Sequence, residues 1–203
     1  KQAIEKVRAS YGIAPDEKMI LYIGRLTGVK GVDRLVMSMR NIVQDFPKAK
    51  LVVVGKGELE GDLTRLTNSL GLNGNITFNL NMPPESERIA HYAACDLAVF
   101  PSFYEPFGIV ALEAMAMEKP IVVGARGVSG LREIVVASGP DMTGYHINPY
   151  DPQDIAWGVK SILGDESHMK TMGKNARKRV LAEFTWEKIA REAFKIYERV
   201  ASK

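Results

Sequence analysis

Three stretches of the sequence bring charge and glycine together in ways that could hold a polyanionic ligand. In Gly24-Arg25-Leu26-Thr27-Gly28-Val29-Lys30-Gly31, one arginine and one lysine share a glycine-containing segment directly after an apolar run. Arginine offers a planar fork of donors and lysine a mobile point charge, a combination able to neutralise a diphosphate. A flexible loop with two solvated cations accounts for these residues equally well, because loops are commonly polar and glycine-rich. Gly55-Lys56-Gly57-Glu58 could let backbone approach a ligand at Gly55. The full Gly-x-Gly-x-x-Gly fingerprint is missing there, so ordinary turn chemistry is the default reading.

The richest stretch is Pro101-Ser102-Phe103-Tyr104-Glu105-Pro106-Phe107-Gly108-Ile109-Val110-Ala111-Leu112-Glu113-Ala114-Met115. Pro106 constrains the chain before a helix, and Gly108 removes bulk at its first turn. Free backbone N–H groups at such a helix start attract anions and sugar hydroxyls. Glu105 lies just outside that helix and Glu113 about two turns into it, and ionised carboxylates are strong acceptors from hydroxyl groups. Two other readings fit the same residues. Glu105 can serve as a favourable charge at a helix N-terminus, with Glu113 solvated or ion-paired. Alternatively the two carboxylates can act as the acid and nucleophile of a glycosidase, which requires a close facing geometry.

The remaining reactive residue types read as structural. His91, His146 and His168 lack metal-ligand spacing, and the single cysteine, Cys95, sits in an apolar segment as expected of a buried, inert thiol. Met115 and Met117 read as core. Trp157 and Trp186 fall on amphipathic helices, where packing is the default.

The elements that must carry these residues alternate between short β-branched runs and longer amphipathic stretches, the pattern of parallel strands joined by crossover helices. Strands are expected at Met19 to Ile23, Leu51 to Val54, Ile76 to Phe78, Leu97 to Phe100 and Ile121 to Val123, with a weaker one at Tyr145 to Ile147. Their uniform hydrophobicity implies burial on both faces, hence an α/β, Rossmann-like, doubly wound parallel sheet with helices on both sides. Leu35, Val36, Met39, Ile42, Val43 and Phe46 form one helical stripe that Pro47 ends. Further helices are expected at Pro84 to Ala94 and Gly108 to Met117. Ile4, Val7 and Tyr11 give the opening segment helical periodicity, without a cap or initiating methionine, as in a cut through a longer protein. In the terminal helix, about 184–202, Trp186, Ile189, Ala190, Ala193, Phe194, Tyr197 and Val200 share one face that must pack on something.

Composition narrows the function classes. A chain of 203 residues with 46% hydrophobic content can bury one ample core, and one domain over 1–203 is expected. A formal charge of +3, spread along the chain, does not suit a nucleic-acid-binding protein. One cysteine allows no intramolecular disulfide, and no apolar run reaches the length of about 20 residues that a membrane helix needs. A cytoplasmic protein without a transmembrane segment is expected.

The phrase PSFYEPFGIVALEAM, preceded by GRLTGVKG and followed by KPIV and LREIV, resembles the C-terminal, donor-binding domain of retaining GT-B glycosyltransferases, the superfamily of glycogen synthases and sucrose-synthase-like enzymes. The likeness extends through the terminal FTWEKIAREAFKIYERV. It implies that Arg25 and Lys30 contact the diphosphate of a nucleoside-diphosphate sugar and stabilise charge on the leaving nucleotide. It also implies that Glu105 acts with them, that Gly24, Gly55, Phe107, Gly108, Ile109 and Val110 border the donor, that Glu113 accepts from the ribose hydroxyls, and that the base lies near Asn81 and Met82. The implied reaction transfers a sugar, glucose by preference, from an ADP- or UDP-linked donor to an acceptor such as an α-glucan. It needs no bound metal and no cofactor beyond the donor, and the sequence has no Asp-x-Asp pair. The acceptor would be held by an N-terminal domain with no counterpart in this chain, which by itself would be inactive or weakly active. A GT-B-fold sugar-nucleotide epimerase and a non-catalytic nucleotide-sugar-binding module are the alternatives. Two departures from the family pattern stand out. Val128-Ser129-Gly130 replaces a common glycine pair, with Ser129 expected to donate to, or narrow, the phosphate pocket, and Glu118-Lys119-Pro120 stands where Gly-Lys-Pro is common.

Overall fold

The computed structural model describes residues 2–202; Lys1 and Lys203, at the ends of the expected first helix and single domain, lie outside them. Six strands form one parallel sheet: β1 (Lys18–Ile23), β2 (Ala49–Val54), β3 (Ile76–Asn79), β4 (Leu97–Phe100), β5 (Ile121–Gly124) and β6 (Gly144–Ile147). All six expected strands are present, displaced by at most two residues at an end. Met19 to Ile23, Leu51 to Val54, Leu97 to Phe100 and Ile121 to Gly124 are buried throughout. That is the condition for a strand covered by helices on both faces.

The spatial order is β3-β2-β1-β4-β5-β6. The chain winds outward from β1 to β3, returns to the middle at β4 and winds outward the other way. The connections leaving β1 and β4 therefore diverge and open a crevice at their carboxyl ends.

Helices α1 (Gln2–Ser10), α4 (Glu85–Ala94), α5 (Ile109–Ala116) and α8 (Glu166–Glu183) touch in that succession, while α2 (Val32–Asp45) packs on α3 (Glu60–Ser69) and α7 (Pro152–Leu163). Leu35, Val36, Met39 and Ile42 are buried along α2 as their spacing requires, and the helix stops two residues before Pro47. α1 is anchored by Arg8, whose guanidinium donates to the carbonyls of Ala94, Ala14 and Glu17 and to the Asp96 carboxylate. A single turn, α6 (Leu131–Ile134), follows β5.

The last helix, α9 (Trp186–Ala201), is capped by the Thr185 hydroxyl, which accepts from the Lys188 N–H. It buries none of its residues, and Trp186 is 81% exposed. Of the two surfaces on which this face and Trp186 are expected to pack, this sheet or an absent partner domain, the first does not cover them among the described residues. Amphipathic spacing reports that a face is suited to burial and carries no information about where the covering surface is. Trp157 is half-exposed and meets Tyr145 edge-on at 5.2 Å, Met115 is fully buried, and Met117 lies at the margin of the core.

Candidate functional site

The crevice at the carboxyl ends of β1 and β4 holds a cavity of about 610 Å³. β1 feeds Gly24 and Arg25 into its wall, and a short 3-10 turn, Gly28–Lys30, turns the chain back to present Lys30. β4 leads through Ser102 and Glu105 to α5, and Phe107 and Gly108 just before that helix line the cavity together with Ile109 and Val110 of its first turn. Loops at strand ends thus gather residues that are more than seventy positions apart in the chain.

Lys30 Nζ donates to Glu105 Oε2 at 2.6 Å, with both side chains largely withdrawn from water at 15% and 13% exposure. An ammonium has three donors, so this pair fixes the lysine while leaving two for a ligand. Arg25 is exposed, and its loop is pinned from behind, where the Tyr22 hydroxyl donates to the Arg25 carbonyl at 2.8 Å. Burial, and then the Glu105 charge, raise the ionisation of Tyr22 well above the ordinary tyrosine value, so it remains a donor.

At the entry to α5, Gly108 takes φ +104°, and a Cβ there would come within 2.4 Å of Leu131 Cδ2. The positive φ is what calls for glycine, and a Cβ would in addition push the Leu131 side chain aside. No side chain caps α5, so the positive end of the helix, with its first N–H groups, is presented at the cavity. One turn further in, Glu113 accepts from the Tyr92 hydroxyl at 2.9 Å and from Arg88 at 3.4 Å. The crevice therefore brings together two cations, the free N–H groups of a helix start and, further along α5, a hydroxyl-accepting carboxylate. A diphosphate with an attached polyol matches that sequence of groups.

Gly24, Arg25, Lys30, Met82, Glu105, Phe107, Gly108, Ile109, Val110 and Glu113 all line this cavity; Gly55 and Asn81 do not. Gly55 sits at φ +150°, and a Cβ on it would lie 1.8 Å from the Gly24 carbonyl oxygen, so its glycine identity lets the two strand-exit loops pass each other. Asn81 uses its backbone N–H within its own turn, on Asn79 Oδ1. Ser129 departs from expectation: it is buried, and its hydroxyl donates to the Gly124 carbonyl at 2.8 Å, away from the cavity. A hydroxyl near a backbone carbonyl satisfies itself locally.

Tyr22, Arg88 and Tyr104 also line the cavity; Tyr104 lies within the Pro101 to Met115 stretch, whereas Tyr22 and Arg88 carry no signal in the sequence. Tyr22 reads as a core residue of a strand and Arg88 as a solvated helix residue. The Arg88 and Tyr92 spacing puts both on one helix face, yet their shared partner, Glu113, comes from another element. Among the described residues, no three His, Cys, Asp or Glu side chains converge as metal ligands. Burial pushes the Cys95 thiol up to about 12, which keeps it protonated and unreactive. His91 and His146 spend ring nitrogens on the Glu87 and Val135 carbonyls.

The family model described as glycosyl transferases group 1 matches residues 3–179. An uncharacterized glycosyltransferase of Methanocaldococcus jannaschii is 39% identical over 191 residues, covering 94% of this chain and 47% of that protein. The D-inositol 3-phosphate glycosyltransferase of Corynebacterium jeikeium is 33% identical over 98% of this chain and 48% of its own length. A glycogen synthase of Mycobacterium tuberculosis is 30% identical over 88% of this chain and 42% of its length. Among solved structures, sucrose-phosphate synthase from Thermosynechococcus elongatus superposes with a TM-score of 0.80 at 33% identity, over 98% of this chain and 49% of that one. The Anabaena protein Alr3699/HepE in complex with UDP-glucose gives a TM-score of 0.82 at 25% identity, over 100% and 53%. The chain thus spans about half the length of the curated relatives it matches.

Proposed function

From the premise that this chain belongs to the glycosyl transferases group 1 family, and so is a glycosyltransferase of GT-B-like architecture, we propose that it is the donor-binding half of a retaining enzyme. The donor is a nucleoside-diphosphate hexose, with glucose as the sugar. Its diphosphate lies between Lys30 and Arg25 on one side and the N-terminus of α5 on the other, with the ribose against Glu113 and the base beside Met82. The observation that carries this reading is that both cations and an uncapped helix start line one cavity. As the bond from sugar to phosphate breaks, negative charge accumulates on the departing diphosphate. Fixed cations and N–H dipoles favour that charge with no reorganisation at the moment of reaction. Glu105 holds Lys30 in place for this task and borders the sugar.

We propose no part for a cofactor or metal beyond the donor itself, and the cytoplasm as the location. No helix among the described residues is long and apolar enough to cross a membrane. The proposed acceptor is an α-glucan, supported by the likeness to a glycogen synthase, and an inositol phosphate is the competing acceptor to test.

Calorimetric titration with UDP and ADP should show binding that weakens about tenfold or more in Arg25→Ala and again in Lys30→Ala, the size expected when a charge-assisted hydrogen bond is lost. Supplied with UDP-glucose or ADP-glucose and either acceptor, the chain should transfer little sugar, because the acceptor side is not among the groups it provides. Absence of nucleotide binding would overturn the donor assignment, and rapid transfer would overturn the half-site.

A further inference from the structure

Two side chains on one turn of α4 take hold of the carboxylate of Glu113. Arg88 and Tyr92 stand four residues apart, so the helix aligns them on one face. The Tyr92 hydroxyl donates to Oε2 at 2.9 Å, and Arg88 Nη2 donates to Oε1 at 3.4 Å. Each oxygen is thereby assigned its own donor from α4.

The two donors differ in kind. Tyr92 is only 1% exposed, and burial first, then the charge of Glu113, suppress its ionisation, so it is a permanent proton donor. Arg88 is half-buried, makes the longer contact and lines the cavity together with Glu113, while Tyr92 stands behind them. A carboxylate offers about four acceptor directions, so each oxygen keeps one for a ligand after its α4 contact is made. A ribose presents two neighbouring hydroxyls that need two acceptor positions at fixed spacing. A freely rotating glutamate supplies that arrangement only part of the time, and one clamped at both oxygens supplies it continuously.

We propose that Tyr92 is a positioning residue which, with Arg88, presets Glu113 to receive both ribose hydroxyls, and so makes this site select ribose over 2′-deoxyribose. The inference rests on the reading that Glu113 faces the ribose, and it adds the device that makes this contact discriminating.

Titration of UDP and ADP, each beside its 2′-deoxy counterpart and beside inorganic pyrophosphate, separates the two layers. The unaltered chain should prefer the ribose form by about tenfold, the worth of a hydrogen bond to a charged group. Glu113→Ala should abolish that preference. Tyr92→Phe should reduce it about threefold or more, with the ribose form weakened more than the 2′-deoxy form, which keeps its 3′-hydroxyl, and with pyrophosphate affinity unchanged. Arg88→Gln should act in the same direction and carries the test if Tyr92→Phe does not fold. A ribose preference that survives Glu113→Ala overturns the placement of the ribose itself. A preference abolished by Glu113→Ala but untouched by both α4 variants overturns the positioning role alone. Equal weakening of ribose and 2′-deoxy forms in Tyr92→Phe would make Tyr92 structural only and also overturns it.

Discussion

At the scale of single residues, Glu118 shows how a sequence departure becomes a physical cost. It occupies φ +59°, the only non-glycine residue at positive φ among those described. An L-residue in the left-handed region forgoes about 1–2 kcal/mol through the crowding of its Cβ, part of which glycine would return as unfolded-state entropy. The side chain gives little back, since its contact with Arg177 is 3.9 Å long and solvent-exposed. Glu118→Gly should therefore stabilise the chain by about 0.5–1 kcal/mol, a rise of about 2 °C in Tm by calorimetry. An unchanged or lower Tm would mean that the left-handed backbone is not strained there. The family pattern makes Glu118-Lys119-Pro120 visible as unusual, whereas the dihedral angle explains why glycine is favoured.

At the scale of elements, α5 and α9 teach opposite lessons. α5 is short, apolar on most sides and uncapped, and its position between β4 and β5 sets its N-terminus into the crevice. α9 has the clearest amphipathic spacing in the chain yet buries nothing, with Phe194 and Tyr197 exposed. Burial, and not apolar character, is what stabilises a fold. Phe194→Ser and Tyr197→Ser should each change the stability of this chain by no more than about 0.5 kcal/mol, as for other exposed positions. Leu35→Ala on the buried stripe of α2 should cost about 2–5 kcal/mol. Urea titrations of the three variants test the contrast, and a large loss at either α9 position would mean that the helix packs on the domain in solution.

At the scale of the whole molecule, the acid limb of stability is coupled to His146 on β6. Burial, the dominant influence, lowers its pKa below the ordinary 6.5; the hydrogen bond to the Val135 carbonyl opposes this, and Arg132 adds to it. The unfolded chain therefore binds this proton more readily than the native one. The contribution is fully present above pH 6.5 and is lost as the pH falls through the depressed native value. His146→Gln should flatten the fall of Tm with pH below 6.5. An unaltered slope would show that other groups carry the acid limb.

The fold was legible in the sequence almost entirely. β-branched runs buried on both faces and helices of one apolar stripe admit few arrangements besides a doubly wound parallel sheet, and strand ends moved by no more than two residues. The charged and glycine residues of the crevice, Arg88 apart, were legible as a set, because Arg25, Lys30, Glu105 and Glu113 sit in local phrases whose turn and helix-start chemistry is short-range. What the sequence could not supply was pairing between elements. The Lys30–Glu105 contact depends on β1 and β4 being neighbours in the order β3-β2-β1-β4-β5-β6, the hold of Tyr92 and Arg88 on Glu113 on the packing of α4 against α5, and the bare face of α9 on where that helix lies. Periodicity and motif spacing are properties of neighbours along the chain, whereas the Lys30–Glu105 contact joins residues brought together only when the sheet reverses its winding between β1 and β4, and the hold on Glu113 exists only when α4 and α5 pack.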